Sequence, residues 1–76
     1  MIKFDREIDA CGLKCPLPIL RTKKALAELE SGQVLKVLAT DTGAINDFEA
    51  FARQTGNALL EGGEVAGVLV FYLRRR

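Results

Sequence analysis

The chain has 76 residues, a formal net charge of +1 and no histidine. Its length predicts a single domain over residues 1–76, and nearly half of the residues are hydrophobic, as in ordinary globular proteins. The near-neutral charge excludes nucleic-acid binding driven by overall charge. The absence of histidine excludes a Cys–His nucleophilic pair and the commonest metal ligand. No apolar stretch approaches the length of a membrane span.

The first half of the chain predicts a strand, a turn and a helix. In residues 2–9, Ile2, Phe4 and Ile8 alternate with charged residues, which indicates a half-buried strand. The mixed charges of this segment are not those of a secretory signal, so we expect a cytoplasmic protein with reduced cysteines. A helix is predicted from Pro16 to a stop at residues 31–32. The apolar face of this helix comprises Ile19, Thr22, Leu26 and Leu29.

The second half predicts a strand over residues 33–40, a helix ending at Gly56, and two strands over residues 57–61 and 65–73. Asp41 or Thr42 is expected to cap the helix, and Gly62-Gly63 to form the hairpin turn. This order predicts an α+β fold, a two-layer β-α-β-α-β-β sandwich with both helices on one face of a four-stranded mixed sheet. The other sheet face would stay open, which suits a monomer or a weak homo-oligomer. Candidates for that open face are Val34, Leu38, Val68 and Val70.

A cysteine between a glycine turn and two prolines is the strongest chemical signal. Pro16 suits the first position of a helix, and Pro18 falls in the first turn, where N–H groups have no acceptor within the helix. We therefore expect Cys15 at the N-cap, where free N–H groups, the helix dipole and the adjacent Lys14 favour its thiolate. We interpret Cys15 as a nucleophile, although most free cysteines in intracellular domains are small buried hydrophobes.

The residues before Cys15 are expected to shape its turn. Asp9 can accept N–H bonds from the loop, and Gly12 can adopt a positive φ. Cys11 adds a second thiol, which is either auxiliary or idle. A dithiol redox or thiol-sensing module using both cysteines stays open, although their three-residue spacer departs from the usual two-residue redox spacing. Two thiols without histidine predict neither a metal site nor another cofactor.

Residues 9–18 resemble the signature of the TusA (SirA-like) sulfur carriers, a Cys-Pro-x-Pro turn preceded by an aspartate and a glycine. The segment reads Asp-Ala-Cys-Gly-Leu-Lys-Cys-Pro-Leu-Pro. Residues 35–41 resemble the second strand and following turn of that family, residues 47–56 resemble its second helix, and the basic tail is also typical. The likeness spans the whole chain. One departure is Cys11, where the family usually has a different residue.

The resemblance implies the sandwich described above and a sulfurtransferase that carries sulfur between proteins as a persulfide on Cys15. The implied donor is a cysteine desulfurase or a rhodanese, and the implied acceptor is a DsrE-type or heterodisulfide-reductase-like protein. Family members serve in tRNA thiolation or in sulfur-compound oxidation, and the neighbourhoods of Leu17, residues 40–43 and residues 54–57 resemble the sulfur-oxidising members more closely. Persulfide transfer consists of thiolate attack and thiolate loss, so it requires no histidine base. We expect no direct binding to nucleic acid or membrane.

A basic helix face is the expected docking surface for partners. Leu17, Arg21 and Lys24 share one face by their spacing, and residues 14–24 contain no acid. We expect Leu17 beside the Cys15 thiol, with the basic residues steering a transient partner. A non-catalytic module that docks through this face, or a partner of a sulfur-compound transporter, stays an alternative.

Overall fold

The computed structural model describes residues 2–76, in which four strands and two helices follow in the predicted order. They are β1 (Arg6–Ala10), α1 (Leu17–Ala27), β2 (Val34–Ala39), α2 (Ala44–Thr55), β3 (Ala58–Val65) and β4 (Val68–Arg74). The strands of this described part form one sheet in the order β1-β2-β4-β3. β1 and β2 are parallel, whereas the other neighbours are antiparallel. The predicted fold class and mixed sheet are therefore confirmed.

One face of the sheet is covered by both helices. Along β2, fully buried residues alternate with half-buried ones, and the buried set is Leu35, Val37 and Ala39. Phe48 of α2 stacks on Phe71 of β4, with their ring centroids 4.4 Å apart. From α1, the same core receives Ala25, Leu26 and Leu29. Both helices pack on the same sheet face, as predicted.

The opposite face of the sheet has no helix over it within residues 2–76. Its half-buried apolar residues are those predicted from the sequence, namely Val34, Leu38, Val68 and Val70. The Lys36 ammonium lies on this face, 5.1 Å from the ring centroid of Phe4 and 5.8 Å from that of Tyr72. The same nitrogen is 3.4 Å from a carboxylate oxygen of Glu7. An aromatic and ionic cluster therefore covers part of the open face.

The N-terminal strand is shorter than predicted. β1 begins at Arg6, and Phe4 packs beside Tyr72 on the open face instead of sharing the core side with Ile8. The chain bends at Asp5, whose carboxylate accepts the N–H of Val34 at 2.8 Å just before β1 begins. The alternation expected over residues 2–9 therefore holds only within β1.

The hairpin turn between β3 and β4 lies at Ala66-Gly67, so the prediction of Gly62-Gly63 was wrong. Ala66 has φ 52° and Gly67 has φ 83°, and two positive φ values suit a two-residue hairpin turn. Gly62 and Gly63 lie inside β3. A Cβ atom on Gly62 would stand 3.2 Å from the Phe71 ring, so this glycine marks a close approach instead of a turn.

The first helix is also shorter than predicted at both ends. α1 begins at Leu17, with Pro16 as its N-cap and Pro18 at the second helical position. The N–H of Leu17 closes a turn on the carbonyl of Lys14 at 2.8 Å, which places Cys15 before the helix. α1 ends at Ala27 and not at residues 31–32.

The second helix ends as predicted but starts on a different cap. Gly56 has φ 80° and its N–H bonds to the carbonyl of Ala52, a left-handed C-cap. The N-cap is Gly43, and Asp41 accepts its N–H at 3.1 Å from outside the helix. Neither helix within residues 2–76 is both long and apolar enough to cross a bilayer.

Candidate functional site at Cys15

The loop that carries Cys15 is held by the end of the neighbouring parallel strand. Ala10 at the end of β1 pairs with Ala39 at the end of β2, so the segments that follow both strands emerge side by side. The N–H of Gly12 donates to Thr40 Oγ1 at 2.8 Å. The N–H of Cys15 donates to Asp41 Oδ2 at 2.7 Å. Two bonds from the β2 end therefore fix the loop on both sides of Lys14.

The turn before Cys15 has the shape expected from its residue types. Asp9 Oδ1 accepts the N–H of Cys11 at 2.9 Å, and Gly12 has φ 80°. The N–H of Leu13 reaches back to the carbonyl of Ala10 at 3.3 Å. The Cys11 N–H bond lowers the pKa of Asp9, and the nearby charge of Arg21 lowers it further. Asp9 is thus an ionised anchor of the turn.

Asp41 is the second anchor of the site. Its two oxygens accept the N–H groups of Cys15 and Gly43, and these bonds lower the pKa of the carboxyl. The positive charge of Lys14 lowers that pKa as well. The charge of Lys14 therefore lowers the pKa of Asp41, whereas we expected from the sequence that this charge would favour the Cys15 thiolate. One carboxylate joins the Cys15 loop to the start of α2.

Cys15 is exposed and borders a shallow groove between α1 and α2. The other lining residues are Pro16, Ile19, Asp47, Ala50, Phe51 and Gln54. The groove is open to solvent and mostly apolar, with one carboxylate on its wall. Such a site can present sulfur to a second protein, since the thiol is not enclosed.

The pKa of Cys15 is raised, which reverses the prediction of a stabilised thiolate. The neighbouring Asp47 carboxylate is the main cause, since its interaction with the thiol favours the protonated form, and partial desolvation and the charges of Asp47 and Asp41 add to the effect. The expected N–H donors are largely missing, because Pro16 and Pro18 have none and that of Leu17 is bonded to a carbonyl. The prolines that stiffen the turn thus remove the groups that would favour the anion.

Cys11 is a second exposed free thiol with its own carboxylate partner. The neighbouring Asp9 carboxylate raises the pKa of Cys11, with partial desolvation adding to the effect. Asp9 accepts the backbone N–H of Cys11 and acts on its thiol, whereas Asp41 accepts the N–H of Cys15 and Asp47 lines the groove with the Cys15 thiol. Among residues 2–76, no group of three or more potential ligand side chains is arranged to bind a metal ion.

The basic residues singled out in the sequence lie on the other side of α1. Arg21 and Lys24 are exposed and line a groove against β1, together with Arg6 and Glu28. Arg6 and Glu28 form an ion pair at 2.6 Å within this groove. Leu17 is 47% exposed at the start of the helix. The basic groove therefore lies between α1 and β1, whereas the Cys15 thiol borders the groove between α1 and α2.

Sequence reasoning missed four polar residues that surround the loop. They are Thr40, Asp41, Asp47 and Gln54, of which Asp41 was expected only as a helix cap. The parallel pairing of β1 with β2 was a usable signal for the first two, because it brings both following loops to one edge. The other two face Cys15 through helix packing, which leaves no local pattern in the sequence.

The fold and the site together define a class of protein: a small α+β sandwich that presents a free cysteine on a proline-bounded turn. The family model of sulfurtransferase TusA matches residues 6–75 of the chain. The sulfur carrier protein TusA of Allochromatium vinosum is 56% identical over 75 residues, which are 99% of each chain. The chain therefore belongs to the TusA family and is a sulfur carrier.

Two further comparisons agree with this assignment. A relative from Neisseria meningitidis serogroup A is 58% identical over 69 residues, which are 91% of this chain and 93% of that protein. The crystal structure of a SirA-like protein from Desulfitobacterium hafniense superposes with a TM-score of 0.81 at 35% identity. The superposition covers 92% of this chain and 96% of the SirA-like chain. As a sulfur carrier, the chain interacts with proteins that donate and accept sulfur.

Proposed function

We propose that Cys15 carries sulfane sulfur as a persulfide and that the chain thereby acts as a protein-to-protein sulfurtransferase. The observation that carries this proposal is the exposure of the thiol at the rim of an open groove, on a loop held by Asp41 at 2.7 Å. An anchored backbone with an accessible sulfur suits a carrier, because two proteins must bring their cysteines within bonding distance. Asp9, Gly12, Pro16 and Pro18 would support this loop, and Lys14 would act through Asp41.

The transfer step balances without an oxidant or a reductant. The Cys15 thiol loses its proton, and its sulfur attacks the outer sulfur of the donor persulfide. A new S–S bond forms while the S–S bond of the donor breaks, and the bonding electron pair remains on the donor cysteine. That sulfur leaves as a thiolate, which takes up a proton from the solvent. Delivery to the acceptor repeats the same exchange, with Cys15 as the leaving thiol.

Partners and setting follow from the same proposal. The donor is a cysteine desulfurase or a rhodanese, and the acceptor is a DsrE-type or heterodisulfide-reductase-like protein, in sulfur-compound oxidation or tRNA thiolation. Docking uses Leu17 with the basic groove of Arg21 and Lys24. We place the protein in the cytoplasm as a single domain over residues 1–76, a monomer or a weak homo-oligomer.

Intact-mass measurement tests the carrier residue. The unchanged chain and the Cys11→Ala and Cys15→Ser variants are incubated with a cysteine desulfurase and L-cysteine, without reductant. The first two should gain the mass of one sulfur atom, and Cys15→Ser should gain none. Full loading of Cys15→Ser would overturn the assignment of Cys15.

The same experiment distinguishes the dithiol alternative. A dithiol redox or thiol-sensing module that uses Cys11 and Cys15 loses the mass of two hydrogens on oxidation, instead of gaining sulfur. The separate carboxylate partners of the two thiols favour independent behaviour. We therefore expect Cys11→Ala to load and to release sulfur like the unchanged chain. Loading without release in that variant would give Cys11 a resolving role.

A further inference from the structure

The Asp47 carboxylate and the Cys15 thiol line the same groove, in a chain without histidine. Asp47 is half-buried in the first turn of α2. Within residues 2–76 its carboxylate forms no ion pair with a lysine or an arginine. Phe51 and Ile19 supply apolar surface beside it. A carboxylate without an ion-pair partner in the described residues therefore shares this groove with the Cys15 thiol.

A short series of hydrogen bonds fixes the position of Asp47 relative to Cys15. The N–H of Cys15 binds one oxygen of Asp41 at 2.7 Å, and the N–H of Gly43 binds the other oxygen at 3.1 Å. The N–H of Asp47 then binds the carbonyl of Gly43 at 3.2 Å. The loop that carries the thiol and the turn that carries the carboxylate are thus joined through one side chain. Their relative position does not depend on long-range packing alone.

We propose that Asp47 is the proton acceptor and proton donor for Cys15 during sulfur transfer. This inference rests on the proposed role of Cys15 as the sulfur-carrying residue. The groups that face Cys15 are Asp47 from α2 and Asp41 from the loop between β2 and α2, while Lys14 acts on Asp41. Asp41 is engaged by two backbone N–H groups, which leaves Asp47 to exchange the proton.

The chemistry requires a proton acceptor at this place. Interaction with Asp47 raises the pKa of Cys15, so the resting thiol is mostly protonated at neutral pH. During loading, the thiol proton moves to Asp47 while the sulfur attacks the outer sulfur of the donor and the donor thiolate departs. During delivery, an acceptor thiolate attacks the outer sulfur on Cys15, and Asp47 returns the proton to the Cys15 sulfur as it leaves. No additional co-reactant is needed.

A structural role for Asp47 makes a different prediction. An acidic residue in the first turn of a helix stabilises that helix through its dipole. If that were its whole role, replacement would change folding stability and leave the thiol titration and the sulfur-transfer rate unchanged. Measurements on the thiol itself therefore separate the two roles.

The test uses the Cys11→Ala chain, in which Cys15 is the remaining thiol. Asp47→Asn and Asp47→Glu are compared with Glu49→Gln, which changes an exposed acidic residue of the same helix that lines a different groove. Alkylation of Cys15 by iodoacetamide is followed across pH. Sulfur transfer from glutathione persulfide to Cys15 is followed by intact mass. Circular dichroism confirms that each variant is folded.

Asp47→Asn should move the two rates in opposite directions. Alkylation at neutral pH should become faster, with its midpoint at lower pH, because the negative charge that favours the neutral thiol is gone. Sulfur transfer should become about tenfold to a hundredfold slower, because general acid–base assistance is lost. Asp47→Glu should recover much of the transfer rate, and Glu49→Gln should change neither reaction.

Three results would overturn the inference. One is faster alkylation together with faster transfer, which would make Asp47 only an electrostatic brake on the thiolate. Another is no change in either rate. The third applies even if Asp47→Asn does not fold. It is the finding that, in the Cys11→Ala chain, the alkylation rate and the sulfur-transfer rate rise at the same pH. Assistance by Asp47 should instead make the transfer rate rise at a lower pH than the alkylation rate. If neither the Cys11→Ala chain nor its variants gain sulfur, the proposed function fails as well.

Discussion

Asp41 accepts the backbone N–H of Cys15 at 2.7 Å across a separation of 26 residues. This bond connects the loop after β1 to the loop after β2, and the second oxygen of Asp41 extends it to Gly43 at the start of α2. The three segments that surround the thiol therefore meet at one carboxylate. Its ionisation state controls how firmly they are held together.

The first prediction concerns acid stability at Asp41. The pKa of this carboxyl is lowered in the folded chain, so its stabilising contribution is present above the unfolded pKa and is lost as the pH falls through the folded pKa. Asp41→Asn should lower the free energy of unfolding at neutral pH, and its difference from the unchanged chain should shrink in acid. Urea unfolding across a pH series measures this. Asp9→Asn should show the same trend, since backbone bonds lower the pKa of Asp9 too. A difference that is constant with pH would contradict the role of the ionised carboxylate.

The second prediction concerns the aromatic pair in the core. Phe48 is fully buried and stacks on Phe71, so Phe48→Ala should lower the free energy of unfolding by about 3–5 kcal/mol. Phe51→Ala should fall in the same range, because Phe51 is also buried. Ile45→Ala on the same helix is the control, since Ile45 is 46% exposed. Equal melting temperatures for Phe48→Ala and Ile45→Ala would show that the aromatic pair is not central to the core.

The third prediction uses two adjacent glycines as a matched pair. An added methyl on Gly62 meets the Phe71 ring at 3.2 Å, whereas the same methyl on Gly63 meets no atom within 4 Å. Gly62→Ala should therefore destabilise the chain, since the stacked Phe71 ring has little room to move. Gly63→Ala should be neutral or stabilise by up to about 1 kcal/mol through the unfolded state. Thermal unfolding of both variants gives the comparison, and the reverse order would contradict the packing of β3 on Phe71.

The fourth prediction concerns docking on the basic groove. Replacing both Arg21 and Lys24 with glutamate should slow sulfur transfer from a protein donor, because charge steering raises the encounter rate. Alkylation of Cys15 by a small neutral reagent should change little, since it needs no docking. Added salt should slow the unchanged chain more than the reversed one.

The control for docking reverses two charges elsewhere on the surface. Arg53 on α2 and Arg74 at the end of β4 are both exposed and do not line the basic groove. Their replacement with glutamate should leave transfer close to the unchanged rate. If the Arg21/Lys24 variant and the Arg53/Arg74 variant receive sulfur equally fast at low salt, partners dock through another surface.

Much of the fold could be predicted because its signals are local. Lys36 marks the solvent side of β2, so the opposite face is predicted to enter the core, and that face comprises Leu35, Val37 and Ala39. Gly56 ends α2 with a positive φ, which glycine adopts without strain because it has no Cβ atom. In contrast, the role of Gly62 depends on a ring from β4 that lies nine residues away in sequence. A pair of glycines by itself does not distinguish a turn from a close approach.

The site could be predicted only in part. The proline turn singled out Cys15, and the residue types around it predicted the N–H bond that Asp9 accepts and the positive φ of Gly12. The protonation of the thiol was predicted with the wrong sign, because the deciding group is Asp47 on another helix. Electrostatics at a surface site sum over neighbours that tertiary packing supplies, so a local argument from one helix end is incomplete.

The separate carboxylates beside the two cysteines have a consequence for oxidative damage. Peroxide and disulfides react with thiolates, and the pKa values of Cys11 and Cys15 are both raised. An idle molecule therefore exposes two thiols to solvent while keeping both largely in the form that oxidants attack slowly. We therefore expect both thiols of an idle chain to be oxidised more slowly than the exposure of their sulfur atoms alone would suggest.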